Sequence, residues 1–191
     1  ISQSQIIPLL NSYSKKNKLF LISFEKEKKK IIQNLDQNII HIQLKFRKNH
    51  LSKLFSFIFF VFYLIFFVFK NKIEIVHTRS YVPNLLVLLI KPFKKVKIIF
   101  DIRGFWFDEK YEAKKLNILS YQILKKIEKA LFKYSDVIVT LSKISKQIIC
   151  DKFKVDEKII HVIPTFTNFS NFTDKTKITK KNKIIFGYVG N

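Results

Sequence analysis

The sequence predicts an α/β chain folded as a doubly wound parallel sheet. Short apolar runs rich in Ile, Val and Phe alternate with longer stretches of helical periodicity along all 191 residues. Successive strand-like runs are far enough apart for helical crossovers, which parallel pairing requires. Charged and polar residues gather just after these runs, at the edge where open parallel sheets bind ligands. The chain is long enough to bury a sizeable core.

Gln3–Ser14 has apolar residues at helical spacing, with Pro8 interrupting, and Leu19–Ser23 is a first strand. Glu25–Asn34 is a charged helix candidate, Ile39–Leu44 a second strand and Leu51–Lys70 a long apolar helix. A third strand, Ile73–His77, closes at His77. Pro83 opens a helix to about Ile90, since a first turn does not need the missing N–H. The fourth strand is Lys97–Asp101. Phe100–Glu109, FDIRGFWFDE, reads as a ligand loop, because a plain connector needs no Asp, Arg, Gly and Trp together. Leu116–Tyr134 puts Ile123, Leu124, Ile127, Leu131 and Phe132 on one helical face. Asp136–Thr140 is a fifth strand, and Ser142 an N-cap for a helix through Phe153. Ile160–Ile163 is a sixth, ended by Pro164. Thr165–Asn182 is polar and reads as a linker, and Lys183–Asn191 as a strand entering a glycine loop. With no methionine present, the chain is expected to be a fragment that stops as a second domain begins. The expected domains are therefore 1–164, a linker 165–182 and an opening strand 183–191.

Leu54–Phe69 carries no charge and lies between Lys53 and Lys70. As a helix it would be about 24 Å long, short of a hydrocarbon core of about 30 Å. Crossing a membrane there would also separate the first two strands from their partners. Packing on the sheet is expected, with one face dipping into a bilayer surface as the alternative.

The net charge of +22 rests almost wholly on lysine, with Arg47, Arg79 and Arg103 the arginines. Abundant Ile, Asn, Phe and Lys with scarce Gly, Pro and Ala is the mark of AT-rich coding. Scattered solvated lysines and attraction to anionic lipid are the two competing readings. No arginine-rich, aromatic-interleaved stripe points to nucleic acid. The single cysteine, Cys150, excludes an internal disulfide and a cysteine-based zinc site. It occupies an apolar position of a helical pattern, which suggests an inert thiol and fits a reducing cytoplasm.

Several polar residues follow the strand ends and would line one crevice: His77 and Arg79, Arg103 and Gly104, Thr140 and Ser142, Pro164 and Thr165. The arginines can hold phosphate or carboxylate through paired donors. Gly104 would allow close backbone approach, and Asp101 could fix Arg103 or accept from a hydroxyl. The plainer readings stay open: His77 as a core histidine, Arg79 in a surface ion pair, Trp106 as loop packing rather than a stacking platform, Glu128 as a surface acid. The sequence has no nucleophile elbow, phosphate loop or dinucleotide fingerprint.

Taken in order, HTRSYVP, FDIRGFWFDE, IEKALFKYSDVIVTLS, VIPTFTN and IIFGYVGN resemble the N-terminal half of a family 4, retaining glycosyltransferase of GT-B fold. The resemblance implies a Rossmann-like, acceptor-side domain, a first strand and glycine loop that precede this sequence, and a nucleotide sugar bound by a second domain. It implies catalytic roles for Arg103 and Asp101, and acceptor or cleft roles for His77, Arg79, Gly104, Trp106, Glu128 and Ser142. Glu128, Asp136 and Ser142 match a family pattern that shapes the cleft floor. Gly187 and Gly190 would approach the donor. Arg103 stands where many members have histidine; it cannot act as a base but can stabilise negative charge. The implied substrates are a nucleotide sugar and a glycan or lipid-linked acceptor, with no metal and no nucleic acid. The implied setting is cytoplasmic, at the inner face of a membrane. The alternatives are a noncatalytic Rossmann-like protein of the membrane surface and a GT-B nucleotide-sugar epimerase. The fragment alone is expected to be inactive.

Overall fold

The computed structural model describes residues 3–25, 35–45 and 50–165. Helix α1 (Gln3–Ser14) precedes strands β1 (Leu19–Glu25) and β2 (Ile39–Lys45), which pair in parallel and carry α1 against them. Helix α2 (His50–Lys70) leads to β3 (Ile75–Arg79), α3 (Tyr81–Leu88) and β4 (Lys97–Asp101). A short helix α4 (Trp106–Glu112) and the long α5 (Ile118–Tyr134) follow. Strand β5 (Val137–Thr140), α6 (Lys143–Phe153), a 3-10 turn (Glu157–Ile159) and β6 (Ile160–Val162) complete the described elements. The architecture is mixed α/β, parallel throughout and Rossmann-like. Among the described residues the strands form two sheets, β1-β2 and β3-β4-β5-β6.

The register of the larger sheet decides what faces the core. Thr78 pairs with Phe100, Phe100 with Ile138, and Ile138 with Ile160. All four are buried. Leu131 and Phe132 of α5 and Ile149 and Phe153 of α6 close over this face. Side chains alternate along a strand. The adjacent pairs, His77 with Ile99 and Arg79 with Asp101, therefore point to the opposite face. Two residues of β3 and one of β4 are thereby delivered together, away from the apolar core.

A second apolar cluster joins Leu64 and Val68 of α2 to Leu86 and Val87 of α3 and Ile98 of β4, with Ile22 of β1 packed against it. The Phe-rich helix does pack on the sheet, and it leaves several aromatic rings outside. Among the described residues no helix is long and apolar enough to cross a membrane. Cys150 is half-buried against the core, and burial pushes its thiol pKa up.

The sequence reading needs three corrections. The third strand begins at Ile75, because Lys72 turns the chain at φ 51 and residues 73–74 finish that turn. His77 is thus mid-strand, and Arg79 closes the strand. FDIRGFWFDE is not all loop: only 102–105 connects β4 to α4, and Trp106 opens the helix. Phe105 caps that helix without a side-chain bond, so no polar N-cap announces it. Finally, Glu25 ends β1 rather than opening a helix. The remainder of that predicted helix lies outside the described residues. So do nearly all of the predicted linker, the terminal strand, Gly187 and Gly190.

Candidate functional site at the carboxyl edge of the larger sheet

Asp101 is the hub of the site. Its carboxylate is almost fully buried at the end of β4, and Arg103 Nε and Nη2 donate to the same oxygen, Oδ2, at 3.1 and 2.6 Å. His77 Nε2 lies 3.7 Å from that oxygen, an electrostatic contact beyond hydrogen-bond length. Burial alone would raise the Asp101 pKa, but His77 and Arg103 outweigh it and hold the carboxyl below its ordinary range. Asp101 is accordingly ionised at neutral pH. Its other oxygen, Oδ1, is buried with no hydrogen-bond partner among the described residues.

Arg103 also reaches the chain after β6, where Nη1 lies 3.5 Å from Thr165 Oγ1. Arg79 ends β3 beside it. Burial and the Arg103 charge lower the Arg79 pKa, and Asp101 opposes them; an arginine remains cationic throughout. Two guanidinium groups thus share the neighbourhood of one carboxylate, which leaves the edge positive and suited to an anionic group. A small cavity of about 30 Å3 opens beside Arg103, lined also by Gly104, Thr140 and Ser145.

The backbone between β3 and α3 is bent sharply here. Ser80 adopts φ 84, ψ 169, a region that glycine alone occupies without strain. Its N–H donates to the Asp101 carbonyl at 3.1 Å, which fastens this turn to the end of β4.

Beneath the edge runs a buried polar chain. The Tyr81 hydroxyl donates to Glu128 Oε1 at 2.6 Å and lies 3.1 Å from the Gly104 carbonyl oxygen. Glu128 Oε2 faces the Lys125 ammonium, which also bonds Asp108 Oδ2 at 2.9 Å. Tyr121 donates to Asp108 Oδ1 at 2.5 Å, and that bond pushes the Tyr121 pKa up to about 12. Burial raises the Glu128 pKa, with Lys125 and Tyr81 acting against it. Burial and the Glu128 charge also raise the Tyr81 pKa. The chain ties α3, α4 and α5 to the loop that carries Arg103.

The family model described as Glycosyltransferase Family 4 matches residues 20–170. The chain belongs to that family. Among solved structures, a glycosyltransferase from Rickettsia africae ESF-5 is similar over 80% of this chain, at 21% identity and a TM-score of 0.48. The chain spans 38% of that protein's length. No curated protein matches it.

In this family 4 chain the structure brings His77, Arg79, Asp101 and Arg103 together, with Gly104 next to them. Glu128 is fully buried, so the surface-acid reading does not hold. The space at Gly104 is taken by a carboxylate: a Cβ there would stand 2.8 Å from Glu109 Oε1, the end of a flexible side chain. Ser142 caps α6 by accepting from Ser145 N at 3.1 Å, and Ser145 rather than Ser142 lines the cavity. Trp106 is half-exposed, with the Lys110 ammonium 5.5 Å from the ring centroid. Asp136 sits at the other end of the sheet. It accepts from Ile98 N at 2.8 Å at the amino end of β4 and pairs with Lys91, so it does not shape the crevice. Sequence reasoning missed Tyr81, Lys125, Asp108 and Ser80. Lys125 and Glu128 stand three apart on one helix, a spacing that could have signalled a pair. Tyr81 had no such signal. Among the described residues no group of His, Cys, Asp or Glu could hold a metal ion.

Proposed function

We propose that this chain is the acceptor-side domain, residues 1–164, of a retaining sugar transferase. It is joined through 165–182 to a donor-binding domain that opens at 183–191. The transferase moves a hexose from a nucleotide sugar to a glycan or lipid-linked acceptor of the cell envelope. It works at the cytoplasmic face of a membrane, on which it rests peripherally. One observation carries this reading: in a family 4 chain, an ionised Asp101 holds Arg103 at the carboxyl edge of β4.

Arg103 is the catalytic cation, and Asp101 fixes its orientation. With Arg79 it supplies fixed positive charge toward the diphosphate that leaves, or toward an anionic group on the acceptor, so no metal is needed for that task. His77 and Trp106 flank the acceptor, Gly104 and Ser142 shape the loop and helix behind it, and Glu128 braces the loop from below. Gly187 and Gly190 belong to the donor side.

The test is sugar transfer from labelled nucleotide sugars by the whole gene product. Arg103→Ala should lower turnover by about 100-fold or more, with the protein still folded though less stable, since it leaves Asp101 without its partner. Near-normal turnover would remove Arg103 from the site. Absence of transfer by the wild-type protein across donors and envelope acceptors would overturn the reading itself.

A further inference from the structure

Over residues 58–70, helix α2 buries one face and leaves the other exposed. Leu64 and Val68 enter the core. Phe59, Phe62, Phe66 and Phe69 are 63%, 67%, 63% and 48% exposed. Their spacing of three, four and three residues sets them on one helical face, about 15 Å long at 1.5 Å per residue. The turn after α3 continues this surface. Lys94 Nζ donates to the Val68 carbonyl at 2.8 Å and lies 5.5 Å from the Phe69 ring centroid. Beside it, Phe93 is 64% exposed.

The charge around these rings has one sign, with a single exception. Lys70 stands 5.6 Å from the Phe66 ring centroid. Lys72 and Lys95 are exposed at the same end. Glu74 is the acid nearby in the chain. A contiguous apolar stripe of this size on a soluble surface marks a contact site. Aromatic rings edged by lysine ammonium groups match the boundary between acyl chains and anionic headgroups. A second copy of the chain fits less well, because packing stripe on stripe would bring Lys70, Lys72, Lys94 and Lys95 against their own counterparts in a protein of charge +22.

We infer that the Phe59–Phe69 face of α2, with the Phe93 turn and its lysines, is the surface by which the protein lies on an anionic bilayer. The helix lies in the interfacial plane, with its rings in the headgroup–acyl boundary and its lysines among the phosphates. This inference rests on the membrane association included in the proposed function and gives it a definite surface.

The experiment is co-sedimentation with vesicles of phosphatidylcholine, with and without one-third phosphatidylglycerol, and with no sugar donor present. The protein should bind the anionic vesicles, release them as salt rises, and ignore the neutral ones. Phe62→Ser with Phe66→Ser should weaken binding by about tenfold or more. Both positions are exposed, and a thermal melt confirms the fold. Phe66→Trp in a Trp106→Phe background gives a second measurement, since brominated acyl chains should quench its fluorescence. Binding that survives the double substitution, or Phe66→Trp fluorescence that brominated lipid leaves unquenched, overturns the inference. Self-association that the same substitutions abolish in vesicle-free solution also overturns it, making a second copy the occupant. Transfer without vesicle binding sinks this surface alone; vesicle binding without transfer sinks the transferase reading alone.

Discussion

Tyr81 and Glu128, 47 residues apart in the chain, share a hydrogen bond of 2.6 Å in the interior. The same hydroxyl lies 3.1 Å from the carbonyl oxygen of Gly104, next to Arg103. A carboxylate on α5 thus reaches the loop that carries Arg103 through one phenol. The position of Arg103 depends on groups that need never touch a substrate.

This arrangement sets an order of severity among substitutions. Glu128→Ala strands the Tyr81 hydroxyl and deprives Lys125 of one of its two acids, and should cost about 3–5 kcal/mol. Tyr81→Phe removes one hydrogen bond and should cost about 1–2 kcal/mol. Urea unfolding measures both. A Glu128→Ala variant as stable as the wild type would show that the network carries no load.

Asp101 and Glu128 should give stability opposite pH dependences. The Asp101 pKa is lowered in the fold. Its contribution is therefore present above the unfolded value of about 3.9 and lost as pH falls through the lower folded value. The Glu128 pKa is raised. Its contribution is present below the unfolded value of about 4.3 and lost as pH rises through the higher folded value. Relative to wild type, Asp101→Asn should thus lose more stability at neutral pH than at pH 3. Glu128→Gln should improve relative to wild type as pH rises from 4. Urea midpoints from pH 3 to 8 decide, and parallel curves for all three proteins would contradict both assignments.

Ser80 offers a stabilising change. Its backbone lies where a side chain is strained, at a cost of about 1–3 kcal/mol. Ser80→Gly should recover about 1 kcal/mol of that after glycine's greater freedom in the unfolded chain is charged against it. A rise in melting temperature is expected; a fall would mean that the serine side chain stabilises the turn by more than the strain costs.

What the sequence made legible follows from where its signals are local. Periodicity located β4 at Lys97–Asp101 to the residue, and the Ser142 cap located the start of α6. Placement at and after predicted strand ends picked out His77, Arg79, Asp101 and Arg103, although His77 stands in the middle of β3 and reaches the edge by alternation along the strand. Helix α4 escaped because it is seven residues long and lacks a polar cap. The Tyr81–Glu128 bond escaped because nothing in either neighbourhood encodes a contact across α3 and α5. Asp136 was misplaced for a related reason. An acid just before a strand looks the same in sequence whichever edge it serves, and its bond to Ile98 N shows the amino edge only once the strands are paired.

The strand order β3-β4-β5-β6 has a consequence for how the protein is made. Each strand pairs with the one synthesised just before it, across a loop closed by a local helix. Parallel pairing across a helix closes more slowly than a hairpin, but each pairing needs only the segment just made, and chains fold from the amino end as they emerge during synthesis. The sheet that holds Asp101 and Arg103 can therefore zip up strand by strand on the ribosome. By the time Thr165 emerges, the pocket's scaffold would already be in place.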